Sequence, residues 1–149
     1  MLNQNQVLVC RREGKIGISP FHEENLKLGA YTFTLGPRLR KIKSKFIDAR
    51  SEKVEYEEIT MGEEGYELQP GEFALLETAE TVFLGSGLTC MLSTRPTIAQ
   101  MGLDVMQGSS LCLPGKETKF VLETTNAGPA RVRIYAGVRI AKGVFFANL

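Results

Sequence analysis

The sequence predicts an all-β barrel or sandwich, and three observations carry that prediction. Apolar and β-branched residues alternate with polar ones over several short segments, which is the period of a half-buried strand. Turn signals recur about every ten residues, the spacing of an all-β domain. Helical pattern is scarce, and no stretch is long enough for the crossover that a parallel sheet requires.

The elements follow in chain order. Residues 20–26 make one short turn or helix opening at Pro20. Residues 31–35 are aromatic and β-branched, and end at Gly36-Pro37. Residues 39–46 alternate basic and apolar side chains in part. Residues 53–59 set Val54, Tyr56 and Glu58 on one side. Residues 57–67 carry five acidic residues, with Gly62 and Gly65 as breakers, and read as an exposed loop. Pro70-Gly71 is a turn before a strand over 72–77. A strand over 81–84 ends at Gly85-Ser-Gly87, and another spans 88–94. Pro96 opens a short helix over 97–101 that Gly102 ends. Pro114-Gly115 reads as a turn. Strands over 118–124 and 130–135 flank a turn at 126–129. In the second of these Ala130, Val132 and Ile134 face one way, and Arg131, Arg133 and Tyr135 the other. No repeat or boundary divides residues 1–149, so a single domain is expected.

Composition narrows the function. With 43% hydrophobic residues, the 149-residue chain can build one real core. Eighteen Lys and Arg against 17 Asp and Glu give a net charge of +1, so no global field recruits nucleic acid or an acidic membrane. No apolar run reaches the ~20 residues of a membrane-spanning helix, and the N-terminus lacks the pattern of a signal peptide. Cys10, Cys90 and Cys112 are too few and scattered for a disulfide framework. They suggest reduced thiols and a cytoplasmic location. The single histidine, His22, lies in a polar stretch and reads as a surface residue; without a Cys-x-x-Cys partner, zinc-dependent base deamination is excluded.

Three local features invite chemistry. Gly115-Lys116 lacks the glycine and hydroxyl residue of a phosphate loop, with Ser110 and Glu117 at those places. Arg38, Arg40, Lys41, Lys43 and Lys45 form either a phosphate patch or a charged edge strand guarded against aggregation. No aromatic residue interleaves before Phe46, which argues against nucleic-acid stacking. Glu123 sits in the otherwise apolar Phe120-Val-Leu-Glu-Thr-Thr-Asn126. It is either a general acid/base facing a pocket or a solvated strand residue.

An ordered series of segments resembles the dCTP deaminase/dUTPase superfamily, closest to dCTP deaminase-like proteins. Ile18-Ser-Pro20 and Tyr31-Thr-Phe-Thr-Leu-Gly36 are similar to its Ile-x-Pro turn and Tyr-Asp-Leu-Arg-Leu-Gly strand. Pro70-Gly-Glu-Phe73 matches a Pro-Gly-Glu-Phe strand, and Arg95-Pro-Thr-Ile-Ala-Gln-Met-Gly-Leu103 resembles Arg-Ser-Ser-Leu-Ala-Arg-Leu-Gly-Leu. Cys112-Leu-Pro-Gly115 falls at Ile-Asp-Pro-Gly, Leu122-Glu-Thr-Thr-Asn126 at Leu-Glu-x-x-Asn, and Tyr135-Ala-Gly-Val-Arg-Ile140 at the last hairpin. The series runs from about residue 14 to residue 146.

The resemblance implies a distorted β-barrel of the β-clip type, assembled as a homotrimer with nucleotide pockets between subunits. It implies that Glu123 activates water for attack on cytosine C4 without a metal, that Arg95 lies in the active site, and that Mg²⁺ rides on the triphosphate. Thr97, Gln100, Ser109 and Ser110 fall at substrate-binding positions. The departures are Thr32 for an aspartate, Pro96 for a serine, Gln100 for an arginine, and Leu113 for the aspartate that serves water in dUTPases. The last argues against dUTP hydrolysis. The family's C-terminal lid is expected to have no counterpart before Leu149. Three functions follow: a dCTP deaminase giving dUTP, an inactive trimer that binds or sequesters a nucleotide, and a structural trimer with a vestigial pocket.

Overall fold

The computed structural model describes residues 1–148. Strands make up 50% of the chain and helices 11%, so the all-β expectation holds. Helix α1 is Gln4–Arg12 and α2 is Pro96–Ala99, with a 3₁₀ turn at Glu23–Asn25. The strands are β1 (Ile16–Ser19), β2 (Leu26–Lys27), β3 (Ala30–Ile42), β4 (Tyr56–Thr60), β5 (Tyr66–Leu68) and β6 (Phe73–Leu84). They continue as β7 (Leu88–Thr94), β8 (Leu103–Asp104), β9 (Leu111–Cys112), β10 (Gly115–Asn126), β11 (Val132–Ile134) and β12 (Arg139–Ala147).

One sheet runs β8-β10-β6-β3-β12-β7-β9, with β1 on β6, and β2 and β4 on β3. It curls into a half-barrel, and β11 with β5 forms a separate ribbon. The alternation along β6 drives the curl: Ala74, Leu76, Thr78, Glu80, Val82 and Leu84 are all buried. They pack on the inward residues of β3, where Tyr31, Phe33 and Leu35 are fully buried. Phe33 meets Phe120 of β10 edge to face at 5.4 Å between ring centres. Aromatic contacts of that kind favour one arrangement of neighbouring strands over its slipped alternatives.

Several expectations are corrected. Helix α1 does not show in the apolar pattern, because Val7 is its one buried residue. A capping box closes its start, with the Asn3 side chain accepting from the Gln6 N–H and the Gln6 side chain accepting from the Asn3 N–H. The strand at 31–35 does not end at Gly36-Pro37. It continues to Ile42 through an irregularity between Leu35 and Leu39, a place that tolerates proline. Segments 72–77 and 81–84 are one strand, β6. The acidic stretch 57–67 is not a plain loop: it holds the end of β4 and the start of β5. Gly115 opens β10 instead of turning.

The basic segment is not a bare edge. Leu39 and Arg40 pair with β4 on one side and with β6 on the other. Arg38 meets Glu77 at 2.9 Å, and Lys41 meets Glu72 at 2.9 Å. Arg40 lies over the Tyr56 ring at 4.9 Å. These partners occupy Arg38, Arg40 and Lys41, three of the five cations of the segment.

Candidate active site

Glu123 projects from β10 where the chain crosses between two sheet edges. Residues 105–110 leave β8, which pairs with the end of β10, and enter β9, which pairs with β7. Asp104 starts the crossing by accepting the Met106 N–H at 2.8 Å. The Thr125 hydroxyl then donates to the Gln107 side chain, and the Gln107 N–H donates to the Glu123 carbonyl at 3.1 Å. This pins the loop across β10 and presents two successive N–H groups to the Glu123 carboxylate. Gly108 donates to Oε2 at 2.9 Å and Ser109 donates to the same oxygen at 3.1 Å. The side chain is half-buried. Among the described residues Oε1 has no hydrogen-bond partner, so one oxygen is anchored and the other is left for a water or substrate proton.

Arg95 stands elsewhere. It follows β7 and caps α2, its N–H donating to the Ile140 carbonyl at 2.9 Å. Its side chain lines a cleft of about 150 Å³ with Thr32, Lys27, Arg139, Lys142, Glu24 and Asn25. Strand pairing builds this cleft. Lys142 on β12 sits opposite Thr32 on β3, and Lys27 on β2 sits opposite Ala30. None of the residues bonded to Glu123 lines it.

The other expected site residues divide. Ser109 joins Glu123 through its backbone, while its side chain is exposed. Ser110 is half-buried and its carbonyl accepts the Leu92 N–H at 2.8 Å. Thr97 and Gln100 are exposed on and just after α2, outside the Arg95 cleft. Pro96 at the first helical position removes one N–H there. Leu113 is exposed at 67%. Asn126 is fully buried and structural. Its amide donates to the Leu68 and Ala130 carbonyls at 3.0 and 2.8 Å and accepts from Gly128 at 3.1 Å, closing the turn after β10.

Gly108, Lys27, Arg139 and Lys142 are additions that the sequence reading did not single out. The three cations are exposed or half-buried, and none of them, nor Arg95, forms an ion pair among the described residues. No helix among the described residues is long and apolar enough to cross a membrane.

The chain is 30% identical over 153 residues to a dUMP-forming dCTP deaminase of Methanobrevibacter smithii, covering 97% of this chain and 79% of that one. It is 27% identical over 154 residues to a dCTP deaminase of Haloarcula marismortui, again covering 97% and 79%. Among solved structures it superposes on the 2'-deoxycytidine 5'-triphosphate deaminase of Agrobacterium tumefaciens with a TM-score of 0.74 at 12% identity, covering 97% of this chain and 47% of that one. The chain thus spans about half of that protein. A dUTPase of Streptococcus mutans matches with a TM-score of 0.56 at 17% identity, covering 90% and 95%. These likenesses in fold agree with the ordered motifs, and the dCTP deaminase-like family model matches residues 1–148; the chain belongs to the dCTP deaminase-like family.

Proposed function

We propose that the protein binds dCTP in a pocket shared between subunits of a homotrimer, and that Glu123 serves as the base in hydrolysis at cytosine C4. The observation that carries this is the Glu123 carboxylate, held at Oε2 by two backbone N–H groups and open at Oε1. Water attacks C4 while Oε1 takes its proton, giving a tetrahedral carbon. The proton passes to the exocyclic amine, which leaves as ammonia; the proton of the C4 hydroxyl moves to N3, and the C4 carbonyl of dUTP forms. Such a base contributes typically 10²–10⁴-fold. The Methanobrevibacter relative forms dUMP; here Leu113 brings no carboxylate for a second hydrolysis, so dUTP is the product.

Separation of Arg95 from the Glu123 loop supports a shared pocket. A site that uses both draws Arg95 from one subunit and Glu123 from the next. Ser109 and Ser110 belong to the loop beside Glu123, whereas Thr97 and Gln100, on and just after α2, lie outside the Arg95 cleft. A second reading, binding without turnover, is favoured by Pro96 and by Gln100, which stand where the family's motif has a serine and an arginine.

The test is dCTP turnover, read by chromatography, for the wild type and for two variants alone and mixed. Glu123→Gln keeps the side chain's shape but cannot take the proton, and Arg95→Ala removes a cation and up to five donors. Each variant alone is expected to be nearly inactive. Unfolded and refolded together, they regain part of the wild-type rate, because some pockets pair an intact Arg95 with an intact Glu123. No dCTP turnover by the wild type, with binding retained, establishes the second reading. A monomer by light scattering overturns the shared pocket.

A further inference from the structure

We propose that the cleft beside Arg95 takes the polyphosphate of its ligand as a free anion, without a divalent cation. This inference rests on the reading of a nucleoside triphosphate as ligand, and it departs from the expectation that Mg²⁺ rides on the phosphates.

The donor set is the reason. Lys27, Arg95, Arg139 and Lys142 line the cleft, and Glu24 is its one carboxylate. Glu24 also lies 3.8 Å from His22. Mg²⁺ is ordinarily held through one or two carboxylates together with the substrate phosphates. Thr32, another residue lining this cleft, brings a neutral hydroxyl, and the residue opposite it on β12 is Lys142. A divalent cation brought here meets four like charges at close range. A free triphosphate carries two more negative charges than its Mg²⁺ complex, so the same four cations hold it more strongly.

The cations are available. None of the four forms an ion pair among the described residues, unlike Arg38, Lys41, Arg131 and Arg133, each of which faces a glutamate. Three adjacent strands and the start of α2 bring them together. Lys142 has β3 on one side and β7 on the other, with Thr32 and Ser93 as its neighbours in register. A rigid strand position of this kind suits a fixed phosphate contact. Lys142 therefore shares with Lys27, Arg95 and Arg139 the charge neutralisation that a metal would otherwise supply.

Calorimetry on the whole protein tests this with two probes, dCTP and inorganic tripolyphosphate, each in EDTA and in excess Mg²⁺. Both probes are expected to bind in EDTA, and Mg²⁺ to weaken each. Lys142→Gln should weaken binding in EDTA by roughly ten- to a hundredfold, the effect of losing one charge-assisted contact, and leave unfolding unchanged. If dCTP binds only with Mg²⁺, or more tightly with it, this inference fails while the proposed function stands. If tripolyphosphate binds without Mg²⁺ and dCTP does not, the proposed function fails and the inference stands. Binding of neither probe under either condition overturns both.

Discussion

Gly108 and Glu123 are matched in space: the Gly108 N–H donates to Glu123 Oε2 at 2.9 Å, and a Cβ built on Gly108 would lie 3.3 Å from the same oxygen. The glycine therefore lets its backbone approach the carboxylate closely while adding no side chain to push it away. Two short contacts from one loop to one oxygen fix the direction in which the other oxygen points.

Gly108→Ala is predicted to lower turnover of dCTP with little change in stability. The added methyl is tighter against Oε2 than an ordinary contact, so the carboxylate shifts by a few tenths of an ångström. A misplacement of about 1 Å costs on the order of a hundredfold, and this smaller shift should cost up to about tenfold. Steady-state kinetics should show the loss in kcat more than in KM. An unchanged kcat would mean that the carboxylate does not need this placement.

Glu80→Ala is predicted to destabilise the fold. Glu80 is 1% exposed in β6. It accepts the Thr34 N–H at 3.1 and 3.0 Å and the Thr34 hydroxyl at 2.8 Å. Removing the carboxylate leaves two donors of Thr34 without a partner next to the core. That costs roughly 1–3 kcal/mol, which urea unfolding reads as a lower midpoint at constant slope. A midpoint equal to the wild type would show that water replaces the carboxylate at no loss.

Much of this architecture was legible before the structure. The strand expected over 88–94 is β7 residue for residue, and within the expected strand 130–135 the segment 132–134 buries Ile134 and exposes Arg133 as the alternation requires. Glu123 stood out because a carboxylate in an apolar strand is uncommon. What held it did not stand out, since Gly108 and Ser109 meet it only after the chain folds back over 15 and 14 residues. Lys27, Arg139 and Lys142 were illegible for a related reason: periodicity tells which face of a strand is apolar, but not which strands are neighbours. Helix α1 left a mark that was missed, Asn3 followed by Gln6, because a helix with one buried residue shows almost no apolar stripe.

The cysteines should resist modification unequally. Cys90 and Cys112 are register partners on β7 and β9, and all three cysteines are free thiols. Burial pushes the Cys112 thiol up to about 11 and the Cys90 thiol higher still, with the neighbouring Cys112 adding to that rise. At about pH 8 only on the order of a thousandth of Cys112 is thiolate, the reactive form. Iodoacetamide followed by peptide mass analysis should label the part-exposed Cys10 first. In denaturant all three should react alike. Rapid labelling of Cys90 in the folded protein would contradict the burial argument.

Glu72 ties the basic segment of β3 to the turn before β6, and it should set part of the acid limit of stability. Burial works against its charged form. The Tyr66 hydroxyl at 2.6 Å, the Lys41 ammonium at 2.9 Å and the Gln69 N–H at 2.8 Å outweigh that, and together hold its carboxyl below the ordinary value of 4.5. A carboxyl depressed in the folded state is protonated first in the unfolded chain as pH falls. Its contribution is therefore full above 4.5 and is lost as pH falls through the folded value. Glu72→Gln is predicted to lower stability near neutral pH by roughly 1–3 kcal/mol, the range for hydrogen bonds to a charged group. The gap between variant and wild type should narrow steadily below about pH 4.5, because the wild-type carboxyl becomes neutral there too. Urea unfolding of both proteins across that range checks this. A gap that stays constant down to about pH 3 would show that the charge of Glu72 contributes nothing to the fold.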